Sequence, residues 1–232
     1  MKGVEILYED DDCLVINKAA GLPVQGGCGA EVNLDAILTA LYKPRPLLVH
    51  RLDKDTSGVI LTAKSSAAAA YFSRAIAGGQ ARKRYLAICN APRMRRDAAS
   101  TQSVGVGEGT IDSDLTQKGA KKAAVTHYRR LARNGEYALF QLELGTGRMH
   151  QIRRHMAQSG QPVLGDGKYG DFSLNKRFRK ESGVKQQLLH AVNLVLPRQN
   201  GGILEISAPL PAHFRKALEI LGFSGVFAAG GE

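Results

Sequence analysis

The stretch that most constrains this chain is His50-Arg51-Leu52-Asp53-Lys54-Asp55-Thr56-Ser57-Gly58, a polar cluster followed at once by the apolar run Val59-Ile60-Leu61. A short continuous apolar run bounded by turn residues reads as a buried strand. The fold must therefore bring a buried strand to an end where Arg51, Asp53 and Lys54 stand together, and strand mouths are common places for chemistry. A carboxylate between two cations stays ionised, because neighbouring positive charge favours the charged form. Asp53 then suits the part of nucleophile or base and not that of proton donor. The same residues also fit a capped turn, with Asp53 or Asp55 accepting backbone N–H bonds ahead of the strand. The motif by itself leaves both readings open.

With 232 residues and 44% hydrophobic content, the chain can bury one substantial core and does not require two domains. The reading is a single domain of catalytic size over 1–232, with a flexible tail at 225–232. No apolar run reaches the roughly 18 residues of a membrane span, and Met1-Lys2-Gly3-Val4-Glu5 lacks a signal peptide's apolar core. A cytoplasmic protein with no membrane partner is expected. Cys13, Cys28 and Cys89 are scattered, with no C-x-x-C pair, and read as reduced structural thiols. His150 and His155 are five apart, whereas two ligands on one helical face need a spacing of four. No metal site is expected.

The formal charge is +11, from 32 Lys and Arg against 21 Asp and Glu, and it is unevenly spread. Arg74, Arg82, Lys83, Arg84, Arg93, Arg95 and Arg96 lie in a stretch without acids. A second such stretch holds Lys118, Lys121, Lys122, Arg129, Arg130 and Arg133. A third, Lys176 to Lys185, is interrupted only by Glu181. A surface polarised in this way attracts a polyanion through counterion release, which favours a nucleic acid over an ordinary solvated face.

Along the chain, Val4 to Tyr8 and Cys13 to Asn17 read as strands joined by an acidic turn. Asn33 caps a helix that ends near Tyr42, ahead of Pro44 and Pro46. Gly58 to Ala63 is the buried strand, and Ser65 or Ser66 caps a helix to about Ala77. Lys83 to Cys89 alternates into a strand, while Arg93 to Ala120 reads as a polar hairpin arm or mobile insert. Ala123 to Leu131 and Tyr137 to Leu144 flank the hairpin signal Asn134-Gly135. A helix follows from about His150 to Ser159, then the strand pair Leu188 to Leu196 and Ile203 to Ala208, and a closing helix from Pro211 to Leu221. Hairpins mixed with helices point to an α+β sheet core rather than regular βαβ winding.

Two further constellations carry chemistry. In the helix near 150, Met149, Ile152 and Met156 share an apolar stripe, with Arg148, Gln151 and Arg154 away from it. Arg153 flanks the buried edge and so needs an anionic partner, for which Asp53 is the candidate. In Lys83-Arg84-Tyr85, alternation puts Lys83, Tyr85, Ala87 and Cys89 on one face. Tyr85 there is either a half-buried core residue or a ring that stacks on a base.

Together, HRLDKDTSG at 50–58, KRYLA at 83–87 and GRMHQIRRHM…GQPVLGDGKYG at 147–170 closely resemble the RluA family of pseudouridine synthases. The likeness extends to LVINK at 14–18 with GLPV at 21–24, and to LHA at 189–191, and covers roughly residues 4 to 215. It implies an RNA-modifying isomerase that breaks the C1′–N1 bond of uridine and remakes it to C5, without cofactor or metal. It also implies a mixed, mainly antiparallel central sheet with flanking helices and loops around a catalytic cleft. Asp53 is similar to the catalytic aspartate, Tyr85 to the tyrosine that packs on the target uracil, and Arg153 to the basic residue paired with the aspartate. Arg51 matches the arginine that fills the gap left by the flipped nucleotide. By the same likeness His50, Thr56, Lys83, Arg84, Arg148 and His150 face RNA. The partner is ribosomal or transfer RNA, and a monomer is the default. Ala19 stands where the family usually has proline and Met149 where it has threonine, and neither touches the implied chemistry.

Two other readings compete. A glycosidic hydrolase using Asp53 and Asp55 would need one raised pKa, and nothing apolar in the sequence surrounds Asp55. A non-catalytic RNA-binding or ribosome-assembly factor on the same scaffold would be marked by loss of the aspartate, tyrosine or arginine, and all three are present.

Overall fold

Hairpins and helices do interleave along this chain. The computed structural model describes residues 4–26, 32–91, 107–117 and 119–226. In chain order the strands and helices are β1 (Val4–Glu9), β2 (Cys13–Lys18), α1 (Leu34–Leu41), β3 (Leu47–Leu48), β4 (Ser57–Ala63) and α2 (Ser66–Ala77). There follow β5 (Arg82–Asn90), β6 (Glu108–Asp112), β7 (Leu115–Gln117), β8 (Ala120–Lys122), β9 (Val125–Asn134), β10 (Tyr137–Leu144) and α3 (Gln151–Gln158). The chain continues through α4 (Phe172–Ser182), β11 (Leu189–Pro197), β12 (Ile203–Ser207) and α5 (Ala212–Ile220). The fold is mixed α+β and mainly antiparallel. None of the described helices is long and apolar enough to cross a membrane.

Contacts divide the chain into two interleaved units, Met1–Arg84 with His190–Leu210, and Tyr85–Leu189 with Pro211–Glu232. In the first unit the strand order is β1-β2-β4-β11, with β12 on β11 and β3 on β4. β2 runs antiparallel to β4, from Cys13 opposite Ala63 to Lys18 opposite Gly58. β4 meets β11 in parallel, His190 opposite Ser57 and Ala191 opposite Gly58. β4 is buried along its whole length, as its apolar run requires. Val59 and Leu61 pack with Cys13, Val15, Leu194 and Leu196 and with Ala68 and Phe72 of α2. The helices begin where side-chain caps stand: Asn33 accepts from the Ala36 N–H at 3.0 Å and Ser65 from the Ala68 N–H at 3.1 Å.

In the second unit β5, β10, β9 and β6 lie in that order, and β7 pairs with β8. β9 and β10 form the expected hairpin, with Asn134 opposite Tyr137, so Gly135-Glu136 are the turn residues. Gly135 takes the left-handed φ of 57° that such a turn demands. Of the segment Arg93 to Ala120, residues 92–106 lie outside the described set, and Glu108–Asp112 is a sheet strand against β9. Cys28 and the tail from 227 also lie outside it. Cys13 and Cys89 are free and buried, and burial pushes the Cys13 thiol up to about 12.

β5 and α4 also differ from the sequence reading. Tyr85 is 7% exposed and Leu86 3%, so β5 is covered on both faces from Tyr85 onward and simple alternation fails there. α4 was not foreseen. It is capped by Asp171, which accepts the Leu174 N–H at 2.9 Å, and closed by Gly183 at φ 70°.

Candidate active site

The Asp53 turn is built from backbone and held by a buried lysine. The Thr56 N–H donates to the Asp53 carbonyl at 3.2 Å, closing the turn just ahead of β4. The neighbouring Lys54 carbonyl accepts twice, from the Gly21 N–H at 2.9 Å and from Lys18 Nζ at 3.0 Å. Lys18 Nζ also donates to the carbonyls of Ala19 and Leu22, each at 2.9 Å. All three ammonium protons thus have acceptors in a side chain with no solvent exposure. Burial pulls its pKa down to about 8, against the opposing pull of Asp55 and Asp53. The carboxylate turn therefore sits over a desolvated positive charge that fixes its backbone.

The far side of the turn is equally determined. Ser57 Oγ and His190 Nδ1 are hydrogen-bonded at 2.9 Å, while His190 Nε2 faces the Ala208 carbonyl at 3.4 Å. Gly58 has φ 110°, and a Cβ there would meet the Ala191 carbonyl oxygen at 2.1 Å, so the close parallel approach of β11 admits only glycine. His50 Nε2 accepts the Leu61 N–H at 3.0 Å. Burial, and then Lys83 nearby, drives the His50 imidazole down to about 3, so it is neutral and its proton is on Nδ1.

In the second unit, Arg153 of α3 makes a two-pronged pair with Asp166, Nε to Oδ2 at 2.7 Å and Nη2 to Oδ1 at 2.9 Å. Asp166 Oδ1 also accepts the N–H groups of Lys168 at 2.8 Å and Tyr169 at 3.0 Å. Burial alone would raise the Asp166 pKa, but the Arg153 hydrogen bond and those two N–H groups outweigh it and hold it below the usual value. The guanidinium lies 5.2 Å from the centre of the Tyr169 ring. The Tyr169 hydroxyl meets His150 Nδ1 at 3.0 Å. His150, immediately before α3, is the one non-glycine residue with positive φ, 53°, among the described residues. Such backbone is uncommon outside functional or strained sites.

The RNA pseudouridylate synthase family model matches residues 12–158, well over half of the chain. A ribosomal large subunit pseudouridine synthase D from Haemophilus ducreyi is 34% identical over 244 residues, covering 94% of this chain and 70% of the relative. The chain belongs to the RNA pseudouridine synthase family. A ribosomal large subunit pseudouridine synthase C from Rickettsia bellii is 34% identical over 218 residues, covering 91% of this chain and 70% of its own length. Among solved structures, human RNA pseudouridylate synthase domain containing 4 superposes with a TM-score of 0.75 at 28% identity, covering 94% of this chain and 92% of that one. The likeness read from the motifs and the α+β fold both hold, and the family is one of isomerases.

In this pseudouridine synthase, His50, Arg51, Asp53, Thr56, Lys83 and Arg84 fall in the first unit, and Tyr85, Arg148, His150 and Arg153 in the second. Arg51 is exposed, Asp53, Lys83 and Arg84 are half-buried, and Thr56 is buried. Arg153 has one anionic partner in Asp166 of its own unit. Met149, expected on the α3 stripe, is 51% exposed, because the left-handed His150 is the cap from which α3 starts and Met149 lies ahead of the helix. Gln151, expected away from the stripe, is buried at 3% exposure. Its amide donates to the Val125 carbonyl at 2.8 Å and Thr126 at 3.0 Å, and accepts from Thr146 at 2.6 Å and the Arg148 N–H at 3.0 Å. Arg148 in turn donates to the Ala123 carbonyl at 3.0 Å. Sequence reasoning assigned no part to Lys18 or Asp166, although both lie inside quoted motifs. The signal available was a lysine ending an apolar strand, and an aspartate among glycines, where side-chain capping of a turn is common.

Proposed function

We propose that this synthase isomerises uridine to pseudouridine in ribosomal RNA, with Asp53 as the catalytic group and the whole of 1–232 acting as one catalytic domain, a cytoplasmic monomer. The C1′–N1 bond breaks, C1′ joins C5, the C5 proton leaves and N1 gains one, so substrate and product have the same atoms and the same oxidation state. Asp53 opens the reaction as nucleophile or base, at the ribose or the uracil ring. Tyr85 packs on the uracil and takes part in removing the C5 proton, and Arg153 steadies Asp53. The target nucleotide leaves its stack, which takes a few kcal/mol, and Arg51 fills the gap. His50, Thr56, Lys83, Arg84, Arg148 and His150 align the RNA around it.

The observation that carries this reading is the family match over residues 12–158, which contains Asp53, Tyr85 and Arg153 together. The net charge of +11 suits a polyanionic partner, and two relatives are named for the ribosomal large subunit. The three hydrogen bonds made to the Asp53 and Lys54 carbonyls suit a carboxylate that must meet its target in one geometry. Incubating the purified chain with transcribed large-subunit RNA and with transfer RNA, then mapping pseudouridine by nucleoside mass spectrometry and carbodiimide reactivity, tests it. New pseudouridine in the ribosomal transcript is expected. Pseudouridine in transfer RNA alone would overturn the substrate assignment, and RNA binding without any pseudouridine would favour a non-catalytic binding factor.

A further inference from the structure

The surface of α4 carries a pattern that the chemistry above does not use. Leu174, Phe178 and Ser182 are its buried side chains, and Phe178 packs on Tyr137 with ring centres 5.8 Å apart. On the opposite side, Phe172, Lys176, Arg179 and Lys180 recur at i, i+4, i+7 and i+8, which puts them in one stripe along the helix. All four are exposed, Phe172 at 65%. An exposed phenylalanine ahead of three cations is not what burial alone would select. The acids of this segment stand elsewhere: Asp171 is occupied as the cap, and Glu181 falls on the side of Arg177. Arg177, off the stripe, is paired with Glu136, whereas the three stripe cations have no acidic partner among the described residues.

The helix is also tied to the loop that holds Arg153. The Asn175 amide donates to the Asp166 carbonyl at 3.0 Å and accepts the Gly165 N–H at 2.8 Å. At Gly170 a Cβ would meet the Asp166 carbonyl oxygen at 2.3 Å and Asn175 Nδ2 at 2.7 Å, so chain and helix are in direct contact. The stripe is therefore presented in fixed relation to Arg153 by side chains of its own unit.

We infer that the Phe172-Lys176-Arg179-Lys180 face of α4 is an RNA-docking surface, in which the three cations bind backbone phosphates and Phe172 stacks on an unpaired base of a structured RNA. This deepens the proposed function and rests on it. Charge supplies affinity and register without reading sequence, and an aromatic ring at the end of a basic track engages a splayed base. The face thus selects a folded RNA rather than a bare uridine.

The test compares the wild type with K176Q/R179Q/K180Q, with F172A, and with a control triple, K43Q/R45Q/R215Q, drawn from exposed cations outside the three basic stretches. Each is assayed for pseudouridine formation on transcribed large-subunit RNA and on a short single-stranded oligonucleotide, and for RNA affinity across a salt series. The α4 triple is expected to raise KM on the structured RNA about tenfold with kcat unchanged, and to reduce the salt slope by roughly 2–3, about 0.7–0.9 for each lost phosphate contact. F172A is expected to raise KM on structured RNA without changing the slope, and neither variant alters turnover of the oligonucleotide. An α4 triple that matches wild type, or a control triple that loses as much, overturns this inference and leaves the synthase reading intact. A wild type that forms no pseudouridine in any RNA overturns both.

Discussion

Arg153 and Asp166 form a buried pair in which both carboxylate oxygens take a guanidinium N–H, with side-chain exposures of 8% and 0%. Two further N–H bonds from Lys168 and Tyr169 complete the carboxylate's shell. The basic residue assigned to catalysis by resemblance is therefore also a structural member of its own unit. Removing one member of such a pair leaves a buried charge uncompensated, at about 3–5 kcal/mol.

Arg153→Ala and Asp166→Ala are each expected to lower unfolding stability in urea by about that amount, and the double variant by clearly less than the sum. Additive losses in this cycle would contradict a coupled pair. Asp166→Asn should also flatten the acid limb of stability. The folded pKa of Asp166 lies below its unfolded value, so its contribution is full above the ordinary carboxylate range and disappears as pH falls through the lower folded value.

Lys18 tests whether the Asp53 turn needs its buried anchor. Lys18→Met keeps length and apolar bulk but leaves the carbonyls of Ala19, Leu22 and Lys54 without that donor. A chain that still folds but turns over about 10–100-fold more slowly, with KM little changed, is expected, since small misplacements of a reacting group have effects of that size. Unchanged kcat in a folded variant would remove Lys18 from the positioning of Asp53.

The histidines predict a second pH dependence, which begins nearer neutrality. Burial, with Lys83, sets the folded pKa of His50 to about 3, and burial also lowers those of His155 and His213. Between about 6.5, the free-histidine value, and the lower folded values, the unfolded chain binds protons that the folded chain does not, so stability falls as pH falls through this window. Thermal unfolding midpoints should drop steadily from pH 7 to 4. His50→Gln, which keeps an acceptor for the Leu61 N–H, should reduce the slope, and an unchanged slope would contradict the assignment to His50.

What the sequence disclosed follows from the range of the interactions. The Ser57 to Ala63 strand and the Ser65 cap are set by neighbouring residues and were legible. Lys18 was not, because one of its acceptors lies 36 residues away and an isolated lysine reads as solvated. The exposure of Met149 turns on one left-handed residue, His150, whose reach to Tyr169 spans 19 residues. Tyr85 is buried because both faces of β5 are covered, which a period-two pattern cannot express. α4 did carry local signals, a capping Asp171, apolar Leu174 and Phe178 four apart and a closing Gly183, but its charges dominate any reading by composition. For the site, the motifs named Asp53, Tyr85 and Arg153, while the neighbours that hold their loops, Lys18, Asp166 and His190, each act in part through a contact distant in sequence.

The most direct test is Asp53→Asn, assayed for pseudouridine in transcribed ribosomal RNA beside urea unfolding and RNA affinity. The variant should fold and bind RNA as the wild type does and form no pseudouridine. Pseudouridine at close to the wild-type rate would contradict Asp53 as the catalytic group.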